Sequence, residues 1–175
     1  AMRDRLSDLE RLRAEARYHS SHGDKVAEEA AWVRLVEMGR DQTNYANMLL
    51  EQGRLAEAET MARRGIAANP RSAVAYWNLA EAQAAQQRFA AADSTLAALT
   101  AALPENSYVF GTAVNLLLAR RDFDAVEQFL RTSATARQDI ASEYSCLVAL
   151  SRGRIRAWKR CAPDDNWTRP LAALT

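Results

Sequence analysis

An internal repeat of 34 residues is the feature that most restricts how this chain can fold. Pro70 and Pro104 lie 34 residues apart. Three further series follow the same step: Ala46 and Ala80 with Ala58 and Ala92, then Leu55, Phe89 and Phe123, then Leu49, Gln83 and Leu117. A repeat of this length indicates supersecondary units that must stack, because one unit alone cannot bury its apolar face.

Each unit contains two apolar runs of helical period around a short polar break. The breaks are residues 51–54, 86–88 and 120–122, and a second run ends at Pro70 or just before Pro104. The composition of the 175 residues favours helix as well, since 36 are Ala against 8 Val and 3 Ile. Ala loses no side-chain entropy in a helix, whereas strands favour β-branched residues. The sequence therefore predicts helix pairs and an all-α protein.

These units resemble tetratricopeptide repeats, the 34-residue helix–turn–helix family. That family places small residues at positions 8, 20 and 27, Gly near 15, an apolar residue at 17 and Pro at 32. Unit 39–72 matches with Ala46, Gly53, Leu55, Ala58, Gly65 and Pro70. Unit 73–106 matches with Tyr76, Leu79, Ala80, Phe89, Ala92 and Pro104. Unit 107–140 is degenerate, because Gln138 stands where the family has Pro.

The two ends follow the pattern less closely. Residues 4–38 are predicted to form a helix pair whose apolar stripes are Leu6, Leu9, Leu12 and Ala16, then Val26, Ala30, Val33 and Val36. The break in this pair lies about 30 residues before Gly53, which predicts the loss of one helical turn near Arg40. Residues 141–161 resemble a partial pair. We predict a right-handed superhelical solenoid of about four to five antiparallel pairs over 4–161, followed by a C-terminal tail, 162–175.

The resemblance implies a protein-interaction scaffold or adaptor that binds an extended peptide or a helix of a partner in its concave groove. The first helix of each pair lines that groove in this family. The groove residues expected here are Asn44, Asn47, Trp77, Asn78, Glu81, Tyr108, Thr112 and Asn115. Amide side chains can pair with both the N–H and the C=O of a peptide backbone, and aromatic side chains dominate binding hot spots.

One subset of the family, the chaperone-binding cochaperones, holds a C-terminal carboxylate with two Lys, one Arg and two Asn. The equivalent positions here are Thr43, Asn47, Asn78, Tyr108 and Thr112. Both amides match, but all three cations are missing, and with them the charged contacts to a carboxylate. We therefore expect no preference for an acidic C-terminal tail.

Charge and motifs favour no other class of function. With 23 Lys and Arg against 22 Asp and Glu, the net charge of +1 provides no field for nucleic acid, and no apolar stretch could span a membrane. His19 and His22 lack further ligands for a metal, and no catalytic motif is present. We expect no enzyme activity and no cofactor. The cysteines, Cys146 and Cys161, favour a reduced compartment, so we expect a cytoplasmic protein, or a periplasmic one if a signal or anchor was removed.

Two alternatives concern the C-terminal part. The chain could be a self-associating or regulatory segment of a larger bacterial signalling protein, such as a kinase or a transcription regulator, because the tail keeps apolar residues that could pack on a second copy. The basic segment 152–160, which contains Trp158, could bind an acidic partner or nucleic acid. We favour a solvated last helix for that segment, since its cations suit a helix C-terminus.

Overall fold

The computed structural model describes residues 7–133, 144–146, 148–149 and 152–153. These residues contain eight helices and no strand. The helices are α1 Asp8–His22, α2 Lys25–Glu37, α3 Gln42–Glu51, α4 Leu55–Ala68, α5 Ala73–Ala85, α6 Phe89–Ala102, α7 Ser107–Ala119 and α8 Phe123–Ser133. They pack in consecutive pairs, which confirms the predicted all-α helical-repeat fold.

The chain divides into two compact units, Ala1–Leu116 and Leu117–Thr175. The first unit holds α1 to α6 and most of α7, and the second holds the last turn of α7 and α8. Within the first unit each helix from α1 to α5 contacts the next one along the chain. The helices α3 and α5 also contact each other directly, so the first helices of these two neighbouring pairs lie side by side.

The turn inside each helix pair repeats as a backbone conformation. Gly53, Gln87 and Arg121 follow one another at the 34-residue step and have φ values of 72°, 58° and 59°. Gly23 and Gly153 occupy the corresponding turns near the two ends, with φ values of 74° and 67°. Left-handed backbone suits glycine, because other residues bring Cβ close to the carbonyl oxygen. The repeat therefore persists in the backbone even where the sequence replaces glycine.

The first pair corrects two sequence expectations. Helix α1 begins at Asp8 rather than at residue 4, because Ser7 and Glu10 form a reciprocal capping box in which Ser7 Oγ accepts the Glu10 N–H at 3.3 Å. The valine stripe predicted for α2 was wrong, since Val26 is 83% exposed. The buried residues of α2 are Glu28, Ala31, Trp32 and Leu35. Burying an indole together with a leucine removes more apolar area from water than burying the valines.

Helix α3 is shorter than the other first helices of the stack. It has 10 residues, whereas α5 and α7 have 13 each, in agreement with the expected loss of a turn. Asp41 precedes α3 with a φ of 58°, and Arg13 Nε of α1 donates to its carboxylate at 2.8 Å. The start of α3 is thus held against the middle of α1.

The helices cross closely where the repeat carries small residues. Ala46, Ala58 and Ala62 are fully buried in the first unit. At Gly65 of α4, an added Cβ would lie 2.8 Å from Thr43 Oγ1 and 3.3 Å from the Cβ of Ala75. Both distances are short for carbon contacts, so α3, α4 and α5 meet at a point that has no room for a side chain.

Several sequence expectations lie outside the described residues. These are Leu6, the cations and Trp158 of segment 154–160, Cys161, and the tail 162–175. Cys146 is described and is 3% exposed, which agrees with a small buried apolar side chain. In the part of the chain that the structure describes, no helix has both the length and the apolar character needed to cross a bilayer.

Candidate partner-binding surface

A pocket of about 210 Å³ lies between α1, α2, α3 and the start of α5. We call it the polar pocket; its lining residues are Arg17, Ser20, Glu28, Trp32, Thr43, Asn44, Asn47, Met48, Glu51 and Val74. Pockets that enclose a drug-sized ligand measure about 300–1,000 Å³. The polar pocket is smaller, so it fits one or two groups of a longer ligand.

The wall of the polar pocket contains an unusual buried donor. Trp32 is 8% exposed, and its indole Nε1 has no hydrogen-bond partner within the described ranges. The neighbouring Met48 and Glu28 are buried as well, and Lys25 Nζ donates to the Glu28 carboxylate at 2.9 Å. A buried N–H without an acceptor costs free energy. Trp32 is therefore the polar group of this pocket whose hydrogen bonding is incomplete.

Two of the predicted amides stand at the rim of the polar pocket. Asn44 and Asn47 are both exposed. Asn44 Nδ2 donates to Asp41 Oδ1 at 2.9 Å, and Asn47 Nδ2 donates to Glu51 Oε1 at 2.8 Å. Each amide is thus oriented by one carboxylate. Each keeps a carbonyl oxygen and a second N–H for a ligand, the two groups that a peptide backbone pairs with.

An aromatic pair lies next to the polar pocket on the same face of α5. The rings of Trp77 on α5 and Tyr108 on α7 meet edge to face, with centroids 5.5 Å apart and planes at 87°. Both side chains are half-buried. Val74, which lines the polar pocket and is 37% exposed, lies one helical turn before Trp77. The pocket and the aromatic pair therefore share one continuous helix face.

Glu81 completes this face one turn after Trp77. Its side chain is exposed, yet the protein surrounds it closely enough that desolvation raises its pKa, an effect that the Trp77 indole N–H partly opposes by hydrogen bonding. A side chain that is accessible and at the same time crowded is expected at the floor of a depression. We call Trp77, Tyr108 and Glu81 the aromatic cluster.

The structure buries two of the other predicted groove residues. Asn78 is 1% exposed and its Nδ2 donates to the carbonyl oxygen of Thr43 at 2.9 Å, so it ties α5 to α3. Thr112 is 3% exposed. Asn78 Oδ1 and Thr112 Oγ1 have no partner among the described residues. Asn115, the last predicted groove residue, is half-buried on α7.

The comparison with protein families matches the part of the chain that carries the aromatic cluster. Residues 49–113 match a family model described as tetratricopeptide repeat. Residues 49–113 are therefore assigned to the tetratricopeptide repeats. The matched segment includes Trp77, Glu81 and Tyr108. A search of the curated proteins finds no match.

In these tetratricopeptide repeats, the positions that carry cations in a carboxylate clamp hold uncharged residues. The clamp positions Thr43, Tyr108 and Thr112 carry no cation. The cation at the polar pocket is Arg17, which comes from α1 and lies outside those positions. Among the described residues Arg17 forms no ion pair with a carboxylate, whereas Arg11 and Arg13 of the same helix pair with Asp8 and Asp41.

Sequence reasoning missed the contribution of the first helix pair to this surface. Arg17, Glu28 and Trp32 line the polar pocket, but they precede the segment with the regular repeat. A usable signal was the spacing of Ala31 and Leu35 around Trp32, which places a large aromatic residue on an apolar helical stripe.

The histidines lie away from this surface. His22 stacks on Tyr18 at a centroid distance of 4.1 Å, and His19 Nδ1 is 3.6 Å from Asp24 Oδ2. Within the described ranges, no group of three His, Cys, Asp or Glu is placed to hold a metal ion. The histidines therefore belong to the last turn of α1 rather than to the candidate surface.

Proposed function

We propose that this protein is a non-catalytic interaction module that binds an extended segment of a partner protein along α3 and α5, from the polar pocket to the aromatic cluster. Tetratricopeptide repeats are protein-interaction repeats, which supports the class of function. The observation that carries the proposal is that exposed, oriented amides line a pocket that shares a helix face with a half-buried aromatic pair.

The amides of the polar pocket and the rings of the aromatic cluster would contribute different interactions to binding. Asn44 and Asn47 would accept and donate hydrogen bonds to the backbone of the partner, which needs no particular partner side chain. Trp77 and Tyr108 would bury apolar area of the partner and supply most of the affinity. Because Asn44 and Asn47 are already held by Asp41 and Glu51, little side-chain entropy is lost on binding.

Selection of peptides on the immobilised full chain tests this proposal. A random-sequence peptide library is displayed, and the enriched peptides are measured against the wild type and against Asn44→Ala/Asn47→Ala. The double variant is expected to weaken binding about tenfold or more, since two hydrogen bonds contribute about 0.5–1.5 kcal/mol each. Gln128→Ala, which removes an exposed amide from α8, is the matched control and should bind like the wild type.

Two results would contradict the proposed function. The first is the absence of any enriched peptide on the folded wild-type chain. The second is equal binding by the wild type and by the double variant, with far-ultraviolet circular dichroism showing unchanged helix content in both. The second result would move the binding surface away from α3.

A further inference from the structure

We propose that the aromatic cluster binds a basic side chain, Arg or Lys, of the partner segment. This inference rests on the proposed function and adds the chemistry of the partner. Trp77 and Tyr108 would contact the cation through their rings, and the Glu81 carboxylate would neutralise its charge.

The first observation is that Glu81 lacks a cation of its own. Several glutamates of the first unit are paired with arginine or lysine: Glu28 with Lys25, Glu29 and Glu57 with Arg54, and Glu59 with Arg63 and Arg88. Within the described ranges no Lys or Arg forms an ion pair with Glu81, and Trp77, one turn earlier on α5, is uncharged. The cluster thus contains a carboxylate whose charge is left for a ligand to balance.

The second observation is the arrangement of the rings around this carboxylate. Trp77 and Glu81 lie one turn apart on α5, and the Tyr108 ring of α7 contacts the Trp77 ring. In an edge-to-face pair the edge of one ring covers one face of the other, and both rings here remain partly accessible. A cation within about 6 Å of such a face is attracted by the ring quadrupole, and more strongly where water is partly excluded. Aromatic faces beside an unpaired carboxylate form a site for a cation rather than for an anion.

The charges along the rest of the surface agree with a basic partner. Glu51 at the rim of the polar pocket is hydrogen-bonded to the neutral amide of Asn47. Arg17 is the cation at that pocket, and Lys25 is already engaged with Glu28. Glu81 therefore remains for a positive group of the segment, while Arg17 and Lys25, which also interacts with the charge of Glu51, leave the pocket end less suited to cations. An acidic segment would meet these carboxylates without the cations of a clamp.

Charge reversal at Glu81 tests the inference. Peptide selections are run in parallel on the wild type, on Glu81→Lys and on Glu37→Lys, the last being an exposed glutamate in the final turn of α2. Peptides enriched on the wild type and on Glu37→Lys are expected to carry Arg or Lys. Those enriched on Glu81→Lys should lose that preference and gain Asp or Glu.

The most enriched wild-type peptide then provides a direct measurement. Replacing its basic residue with Gln is expected to weaken binding to the wild type about tenfold, a loss expected for removing one ionic and aromatic contact. On Glu81→Gln, the basic peptide and its Gln form should bind within about a factor of three of each other. Trp77→Leu should weaken the basic peptide more than its Gln form.

The outcomes separate this inference from the proposed function. Enriched peptides without basic residues, or an equal effect of the Gln form on wild type and Glu81→Gln, would overturn the inference and leave the binding module intact. If the folded wild type enriches no peptide, both proposals are overturned. Thermal unfolding of each variant shows whether a loss of binding reflects a loss of structure.

Discussion

A buried hydrogen bond between Gln83 and Thr95 shows how one repeat accommodates a polar residue in its core. Thr95 Oγ1 of α6 donates to Gln83 Oε1 of α5 at 2.8 Å, and both side chains are buried. At the 34-residue step, the preceding repeat has Leu49 and Met61 at these two positions. The polar pair therefore replaces an apolar pair, and each member satisfies the other.

Removing only one member of this pair should be costly. Thr95→Val leaves Gln83 Oε1 buried without its donor, and we expect a loss of about 1–3 kcal/mol in the free energy of unfolding. Gln83→Leu/Thr95→Met, which copies the preceding repeat, should recover most of that loss. Urea unfolding followed by circular dichroism measures both variants. A double variant as unstable as Thr95→Val would show that packing, not hydrogen bonding, decides this position.

Glu81 should carry a pH-dependent cost to stability. Because its pKa is raised in the folded protein, the ionised form is less favourable there than in the unfolded chain. The cost is absent below the ordinary glutamate pKa, at about pH 4, and develops as the pH rises through the folded pKa. Glu81→Gln is thus expected to be more stable than the wild type at neutral pH, with the difference shrinking towards about pH 4.

Urea unfolding at several pH values measures this difference, and Glu37→Gln serves as the exposed control. If Glu81→Gln were less stable than the wild type at neutral pH, the carboxylate would be stabilised by its surroundings. The surroundings would then already supply the positive charge that the proposed ligand is meant to bring.

At the scale of single elements, some turns within the helix pairs place non-glycine residues in a left-handed backbone conformation that suits glycine. Gln87 has a φ of 58° at the position where the preceding repeat has Gly53. Non-glycine residues in this region are strained by about 1–2 kcal/mol. Helix packing on both sides of the turn sets this conformation, so the strain remains in the folded state.

Gln87→Gly is expected to raise the free energy of unfolding by about 1 kcal/mol, because glycine removes the Cβ contact and loses part of that gain to its greater chain entropy. Gln86→Gly is the matched control in the same turn. Gln86 has a φ of −85°, so glycine there has no strain to relieve and should destabilise the protein. Thermal unfolding of the two variants should move in opposite directions, and equal shifts would refute the explanation.

The sequence predicted the helices whose positions depend on the 34-residue spacing. The helix pairs after Gly39, and the short α3, follow from the positions of Gly53, Pro70 and Pro104. The buried side of α2 did not follow, because Val26 and Val33 form an equally regular stripe and only packing against α1 and α3 selects Trp32. Periodicity identifies a helix more reliably than it identifies its buried face.

The candidate surface was predictable in part for the same reason. Asn44 and Asn47 on α3 and Glu81 on α5 are exposed, and Trp77 is half-buried, while their role in binding stays a prediction. Asn78 lies between two such residues in the sequence, but its amide reaches the Thr43 carbonyl and is buried. Whether a polar residue at the edge of a stripe faces the neighbouring helix or the solvent depends on the distance between helices, which the sequence does not contain.

At the scale of the molecule, repeats make stability depend on neighbouring contacts. In such proteins each unit contacts only its neighbours, so a local change has a local effect. Gly65→Val places a side chain where α3, α4 and α5 meet, and we expect a loss of about 1–3 kcal/mol from overpacking. Amide hydrogen exchange should accelerate most in these three helices and least in α1.

The control for this prediction is Ala67→Val, an exposed position two residues along the same helix. It introduces the same side chain without the crossing, and since Val is a poorer helix former than Ala but a better one than Gly, helix propensity alone would make Ala67→Val the more destabilising of the two. Uniform acceleration of exchange from α1 to α6 in Gly65→Val would mean that the first unit unfolds as a whole, and the description by neighbouring contacts would fail.

The missing turn of α3 has a consequence for the choice of partner. Since α3 begins about one turn late, it has no helical counterpart to the first turn of α5 at Ala73 and Val74. Asn44 and Asn47 nevertheless keep the 34-residue step to Asn78 and Glu81. The row of helices is therefore notched beside the start of α5, and we expect a ligand to place a bulkier group at that notch than elsewhere along the row.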